Sequence, residues 1–229
     1  MSTVDRRDYP GEGLSEAELA PTPWQQAAAW VEEADRRGAD GDDVPEPRAL
    51  SVATVDRSGT PNVRTVLMRF FDERGPGFVT SLGSTKGAEL LADPRVAAAL
   101  TWPAMYRAIR FRGSAEQLGL DEVRAYWSSR PWASRISAWA SQQSRPAADR
   151  AELERSYDRY AAQFPDHGDP ADVPVPESWG GFRVLASEVE FWAGRRNRLH
   201  DRLVFTAVDP ADPPLLDDAD GWTVTRLQP

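Results

Sequence analysis

The chain contains no cysteine and only two histidines, His167 and His200, among 229 residues. Without cysteine there is no thiol nucleophile, no disulfide, no thiolate-held zinc and no cysteine-ligated iron–sulfur cluster. Any redox chemistry must therefore use another carrier. The histidines stand far apart, in neither an HExxH pattern nor a pair at metal spacing, so no metal site is expected. Positive charge is also short: 27 Lys and Arg against 36 Asp and Glu leave a formal net charge of −9. That field repels a polyanion, and nucleic acid is not an expected partner, although a local basic cluster can still hold a small phosphorylated ligand. No apolar run approaches the ~18 residues of a membrane helix, and the N-terminal MSTVDRRDYPGEG lacks the apolar stretch of a secretory signal. No membrane association is expected, and the cytoplasm is the expected compartment.

What is present fits one globular unit. With 41% hydrophobic and 28% charged residues, the chain has an ordinary globular composition and is long enough for one sizeable core, not two. Residues 1–20 are polar and read as a flexible N-terminal segment ahead of a single domain over 21–229. Thr22-Pro23 opens a helix in which Trp24, Ala28 and Val31 recur at helical spacing, ending near Gly38. Strands are expected over Ala49–Val55, Val63–Phe71 and Gly77–Ser81, separated by the turn-like DRSGT and DERGPG. A serine-capped helix over Ser84–Ala92 and strands over Arg95–Thr101 and Arg107–Gln117 follow. Helices over Asp121–Arg130, Ser134–Ala140 and Asp149–Phe164 lead to four further strands, Gly181–Leu185, Val189–Trp192, Asp201–Val208 and Trp222–Leu227. Many antiparallel strands around a helical insertion predict an α+β fold, a closed or nearly closed β-barrel with flanking helices.

The segment EFWAGRRNRLHDR, Glu190–Arg202, carries the densest chemistry. Were it to end in a strand, the two-residue period would align Arg198, His200 and Arg202 on one face, with Leu199 and Asp201 opposite. Two guanidiniums flanking an imidazole could bind a phosphate or an electron-rich ring. An arginine-protected strand edge explains the same spacing. Tyr126 and Arg130, four apart, share a helix face, and Pro131 would leave the arginine projecting from the last turn. The remaining tryptophans, Trp102, Trp127, Trp132, Trp139, Trp179 and Trp222, read as core or interface anchors. His167 reads as an exposed loop residue, and Arg195 and Arg196 as solvent-facing.

The same C-terminal segment resembles the signature of the pyridoxamine 5′-phosphate oxidase family, EFWQGxxxRLHDR, followed by an RLxP tail that stands here as Arg226-Leu227-Gln228-Pro229. Four more blocks occur in the family's order: RTVLMR at Arg64–Arg69, STKGAEL at Ser84–Leu90, YWSSRPWASRISAWASQQS at Tyr126–Ser144 and SWGGFRV at Ser178–Val184. The resemblance implies an antiparallel FMN-binding split barrel, a homodimer with FMN at the subunit interface, and oxidation of a small phosphorylated pyridine with oxygen as final acceptor. It implies FMN contacts from Arg64, Thr65, Val66, Leu67, Met68, Arg69, Val79, Thr80, Lys86, Gln143, Ser144, Trp192 and Arg202. It likewise implies substrate contacts from Arg69, Tyr126, Arg130, Ser134, Arg198, Leu199 and His200, with Arg198 and His200 over the ring as the catalytic pair. Arg6 and Tyr9 loosely match an N-terminal segment that could close over the site.

Three positions depart from the family pattern: Arg69 replaces a usual lysine, Thr85 a usual arginine and Ala108 a usual glutamine. The last two remove hydrogen-bond donors and should weaken FMN binding, a charge-assisted bond being worth ~1.5–3 kcal/mol. The departures keep two alternatives in view: an FMN-dependent oxidase of another small aromatic, such as a reduced phenazine-type intermediate, and a non-catalytic binder of a phosphorylated vitamer. Arg64 and Arg69, five apart, would face opposite sides of an ideal strand, although the resemblance sends both to the same site. A bulge, a twist at the barrel rim or a site reached from both faces would reconcile them.

Overall fold

A computed structural model describes residues 8–41 and 43–229 of the chain. Helix α1 spans Pro23–Ala39, where the Thr22 side chain accepts from the Gln25 N–H and Pro23 occupies the first turn. Its Ala27, Trp30, Val31 and Ala34 are buried, a stripe at helical spacing that docks the helix on the sheet. Strands β1 (Ala49–Val55), β2 (Pro61–Leu67), β3 (Phe70–Asp72) and β4 (Gly75–Ser81) precede α2 (Thr85–Ala92), which Ser84 caps through the Gly87 N–H. Strands β5 (Arg95–Trp102) and β6 (Arg107–Gln117) then lead to α3 (Leu120–Ser129), α4 (Trp132–Ala140) and α5 (Arg150–Gln163). The chain closes with β7 (Trp179–Ala193), β8 (Asp201–Ala207) and β9 (Trp222–Arg226).

Among the described residues all nine strands join one sheet in the order β2-β1-β5-β6-β7-β4-β3, with β8 on β7 and β9 on β8. Every pairing is antiparallel. Strands β2 and β3 follow one another directly in the chain but lie at opposite ends of that order, so the sheet curls round until its ends meet. The result is a split β-barrel with flanking helices. Its interior holds Leu50, Phe78, Leu100, Ile109, Phe111, Phe191 and Leu203, none of which reaches solvent. A smaller cluster around Trp127, Ile136 and Val173 lies under the helical insertion, where Trp139, Tyr160 and Phe164 pack against it.

The structure corrects three readings. Val63–Phe71 is not one strand: the ladder breaks at Met68 and Arg69, where the Met68 N–H bonds to Arg48 O on the β1 side and the Arg69 N–H to Gly77 O on β4. The chain crosses there between the two ends of the sheet, and this break re-aims Arg69 relative to Arg64. Conversely, Gly181–Leu185 and Val189–Trp192 are parts of the single long strand β7, which passes a register shift opposite Arg112 and Gly113. Finally, β8 begins only at Asp201, and Arg196–Arg198 form a 3-10 turn in which Asn197 and Arg198 have φ of 58° and 61°. Arg198, His200 and Arg202 therefore do not share one strand face.

Residues 8–20, expected to belong to a flexible segment, form no helix or strand. Leu14 is nevertheless buried in the main core and Leu19 packs against it. Arg6 lies outside the described residues.

Candidate active site

Three groups of the expected residues assemble, each on its own part of the frame. The first is a buried cationic cradle between β4 and α2. The Lys86 ammonium donates to Thr80 Oγ1 at 3.0 Å, to Gln143 Oε1 at 2.9 Å and to Ser84 Oγ at 3.5 Å. All three acceptors are neutral, and burial, followed by the nearby Arg64 charge, holds the ammonium below its ordinary pKa. A buried cation without an anionic partner is costly, so the cradle is suited to an anion. Arg64 is fixed at the cradle's edge: it donates to Thr54 Oγ1 at 2.6 Å, Val52 O at 3.1 Å and Glu89 Oε2 at 3.0 Å. Glu89, which the sequence did not single out, is buried and also receives Thr54 and Asn62. Thr85 opens α2 beside this cradle without adding a charge. The Met68 side chain is fully buried in the core, so that position offers a ligand only its backbone; Thr65 is exposed, and Val66, Leu67 and Val79 are half-buried. Gln143 and Ser144 stand on the exposed loop after α4, Ser144 with φ of 70°.

The second group lies at the end of α3. Arg130 caps that helix, donates to Ser134 O at 2.7 Å and stacks over Trp179 at 4.5 Å, with Trp127 and Tyr126 at 5.7 and 5.9 Å. Burial is the main influence lowering its pKa, and the Arg69 charge lowers it further. Phe70 meets the Tyr126 ring at 5.7 Å, so the short strand β3 braces the residues expected at the substrate phosphate. Among the described residues, the buried donors Arg130 Nε and Trp179 Nε1 have no partner. Unfilled donors around a desolvated guanidinium suit an anion.

The third group is aromatic. His200 lies 4.8 Å from Trp192 and 5.4 Å from Tyr9, and Tyr9 also touches Tyr106 at 5.1 Å. The Arg195 N–H donates to His200 Nδ1 at 3.0 Å. A backbone amide can only donate, so the neutral ring carries its proton on Nε2. His200 thus presents an N–H, and Nδ1 is not free to take a proton. Arg198 and Leu199 are exposed on the loop. Ala108 pairs across the ladder with Trp192, so the strand residue beside that indole carries only a methyl group.

Arg202 is held by Glu190, Nε to Oε1 at 2.7 Å and Nη2 to Oε2 at 3.0 Å. Burial acts to raise the Glu190 carboxyl, but Arg202 and Arg110 outweigh it and hold the group below its ordinary value. Arg195 is not simply solvent-facing as expected, since its Nε bonds to Asp201. Glu190 and Asp201 lie inside the recognised motif yet were given no role; their signal was the pairing of an acid with each motif arginine. His167 is exposed and pairs with Asp172, in keeping with a loop residue.

The cradle and the aromatic group stand at opposite ends of β7, because Thr80 pairs with Gly180 and Arg202 with Trp192. At roughly 3.3 Å per residue, about 40 Å of strand separates them.

Comparison with known proteins agrees with this architecture. The family described as pyridoxamine 5′-phosphate oxidase matches residues 42–164. The pyridoxine 5′-phosphate oxidase C-terminal dimerisation region matches residues 179–229. A pyridoxine/pyridoxamine 5′-phosphate oxidase of Kineococcus radiotolerans is 44% identical, covering 98% of this chain and 97% of its own. One from Herminiimonas arsenicoxydans is 43% identical over the whole of both. Among solved structures, PhzG from Burkholderia lata, in complex with tetrahydrophenazine-1-carboxylic acid, superposes with a TM-score of 0.80 at 28% identity, covering 96% of this chain and 100% of its own. A pyridoxamine 5′-phosphate oxidase-related FMN-binding protein of Nostoc punctiforme shares the fold, with a TM-score of 0.67 at 18% identity over 92% of this chain and 100% of its own.

Proposed function

Because the chain belongs to the pyridoxamine 5′-phosphate oxidase family, an FMN-binding family of oxidoreductases, we propose that it oxidises pyridoxamine and pyridoxine 5′-phosphate to pyridoxal 5′-phosphate. FMN, when bound, supplies the acceptor for the substrate hydride and the route by which electrons pass to oxygen. The observation that carries this reading is the presence of two separate cationic groups, Lys86 buried and Arg130 half-buried, each with donors lacking an anionic partner among the described residues. One, Lys86 with Thr80 and Gln143, suits the cofactor phosphate. The other, Arg130 with Tyr126, Ser134 and Arg69, suits a phosphate on the substrate. With both ends of the reaction held, the chain's remaining task is alignment of the reacting carbon. Arg198 and His200 orient the substrate ring, and His200 does so as a donor from Nε2.

The cradle and Trp192 are too far apart along β7 to grip one mononucleotide from the same chain, which supports a homodimer in which each site takes its cradle from one subunit and its aromatic group from the other. The matched C-terminal dimerisation region supports the same arrangement. Among the described residues no helix is long and apolar enough to cross a membrane, which is consistent with the proposed cytoplasmic location.

A second reading keeps the fold and the flavin but changes the substrate, and the likeness to PhzG favours it. The compound bound in that structure is a carboxylic acid with no phosphate, and it gives no reason for the Arg130 group. A binder without catalysis has less support, since it leaves the Arg198–His200 loop without a task. The test is turnover of pyridoxine 5′-phosphate against pyridoxine by the FMN-loaded protein. The proposal expects kcat/KM to favour the phosphorylated substrate by at least about a hundredfold, the worth of one to two charge-assisted hydrogen bonds. Equal values would hand the site to a non-phosphorylated aromatic.

A further inference from the structure

Asp201 lies in the RLHDR motif, yet among the described residues its carboxylate hydrogen-bonds to none of the side chains expected at the flavin or the substrate. It collects three separate segments instead. The Leu14 N–H, from the N-terminal segment, donates to Oδ2 at 2.9 Å. Arg195, from the loop that ends β7, donates to the same oxygen through Nε. Arg226, from the C-terminal strand, donates to Oδ1 at 2.6 Å. Arg226 then reaches back to the N-terminal segment, with Nε 2.7 Å from Glu16 Oε1, Nη2 2.8 Å from Glu16 Oε2 and Nη2 3.3 Å from Leu14 O.

This network fixes both halves of the aromatic group. Arg195 uses its backbone N–H to hold His200 Nδ1 and its side chain to hold Asp201, so the loop carrying Arg198 and His200 is anchored at its base. The segment before Leu14 carries Tyr9, whose ring packs on His200, Tyr106 and Trp192. Gly13 lies so close beneath Asp201 and Arg195, at φ of +83°, that a Cβ there would run into both side chains. The close approach fixes the path of the segment as well as its end. Asp201 is mostly buried and faces two guanidiniums and an amide, so the carboxylate is fully used and its loss would leave several donors unpaired.

We propose that Asp201, with Arg226 as its relay to Glu16, is a positioning residue that latches the Tyr9 segment and the Arg198–His200 loop together over the substrate ring. The inference rests on the substrate reading above, but the latch itself can be tested apart from turnover. A latch of this kind acts on substrate capture and leaves the Lys86 cradle untouched.

The experiment compares the full-length FMN-loaded protein with its D201N, R226Q and R226K variants. KM and kcat for pyridoxine 5′-phosphate, FMN affinity by flavin fluorescence, and chymotryptic cleavage after Leu14 are measured for each. D201N and R226Q are expected to raise KM about tenfold, the size of one charge-assisted hydrogen bond. They are also expected to leave FMN affinity unchanged and to speed cleavage at Leu14, while R226K recovers most of both effects. Should D201N fail to fold, the half-exposed Arg226 carries the test alone. Unchanged KM and cleavage in R226Q would overturn the latch, as would a parallel loss of FMN affinity, which would mark a general loosening. If the unsubstituted protein does not turn over the vitamer, the substrate reading fails, and accelerated cleavage in the variants would still support the latch.

Discussion

Lys86 illustrates how a single side chain declares a ligand. Its ammonium is buried among Thr80, Ser84 and Gln143, and nothing in its immediate shell balances the charge. Replacing it by methionine keeps the aliphatic stem and removes the cation. K86M is expected to weaken FMN binding by at least about tenfold while leaving riboflavin, which lacks the phosphate, bound as before; flavin fluorescence titration with both ligands checks this. An equal loss for the two would mean that Lys86 shapes the cradle without meeting the phosphate. At this scale the sequence was informative about which residues matter and poor about how they are held. Arg64, Lys86, Tyr126, Arg130 and His200 were all legible by motif. The acids were not: Glu89 meets Arg64 only when α2 folds against β2, whereas Glu190 and Asp201 stand beside arginines of their own motif, a pairing the reading passed over. The alignment of Arg198 with His200 and Arg202 was misread because it assumed extended backbone where Asn197 and Arg198 take positive φ.

At the scale of elements, local signals carried most of the reading. Helices α1 and α2 are framed by Thr22 and Ser84, small hydroxyl caps placed where the sequence shows them. The errors lie in strands, where pairing decides what local pattern cannot. Strand β7 looked like two because Ala186, Ser187 and Glu188 interrupt its apolar run, yet β6 pairs with both Ala186 and Glu188 and carries the strand through, and β8 joins it at Glu188. The register shift between Arg112 and Gly113 lets β6 follow it, and Gly113 is pressed against the backbone of Leu185 and Ala186. A methyl group there meets main chain that cannot swing aside. G113A is therefore expected to destabilise the protein by about 1–3 kcal/mol, the usual size of an overpacking strain, seen as a lower midpoint in urea unfolding. An unchanged midpoint would mean that the two strands separate easily at the shift. The split between β2 and β3 has the opposite effect: the ladder breaks at Met68, and the Arg69 N–H passes to Gly77 O on β4.

For the whole molecule, the barrel sets cradle and aromatic group at opposite ends of one long strand, an arrangement that fits the matched C-terminal dimerisation region. Sequence alone could not yield that distance, since it depends on which strands flank β7 at each end. The net charge of −9 adds a field that disfavours anions in general, so a phosphorylated ligand must be selected by the local cations at Lys86 and Arg130. Thr85 and Ala108 carry no hydrogen-bond donor of the kind the resemblance leads one to expect for the flavin, so the proposed function depends on the other residues of the candidate site. The most direct test is to load the protein with FMN, mix it anaerobically with pyridoxamine 5′-phosphate and follow the flavin absorbance, then admit air and assay pyridoxal 5′-phosphate. The account predicts bleaching on mixing, followed by recovery of colour and formation of the aldehyde. Flavin that binds but stays oxidised in the presence of saturating substrate would contradict it.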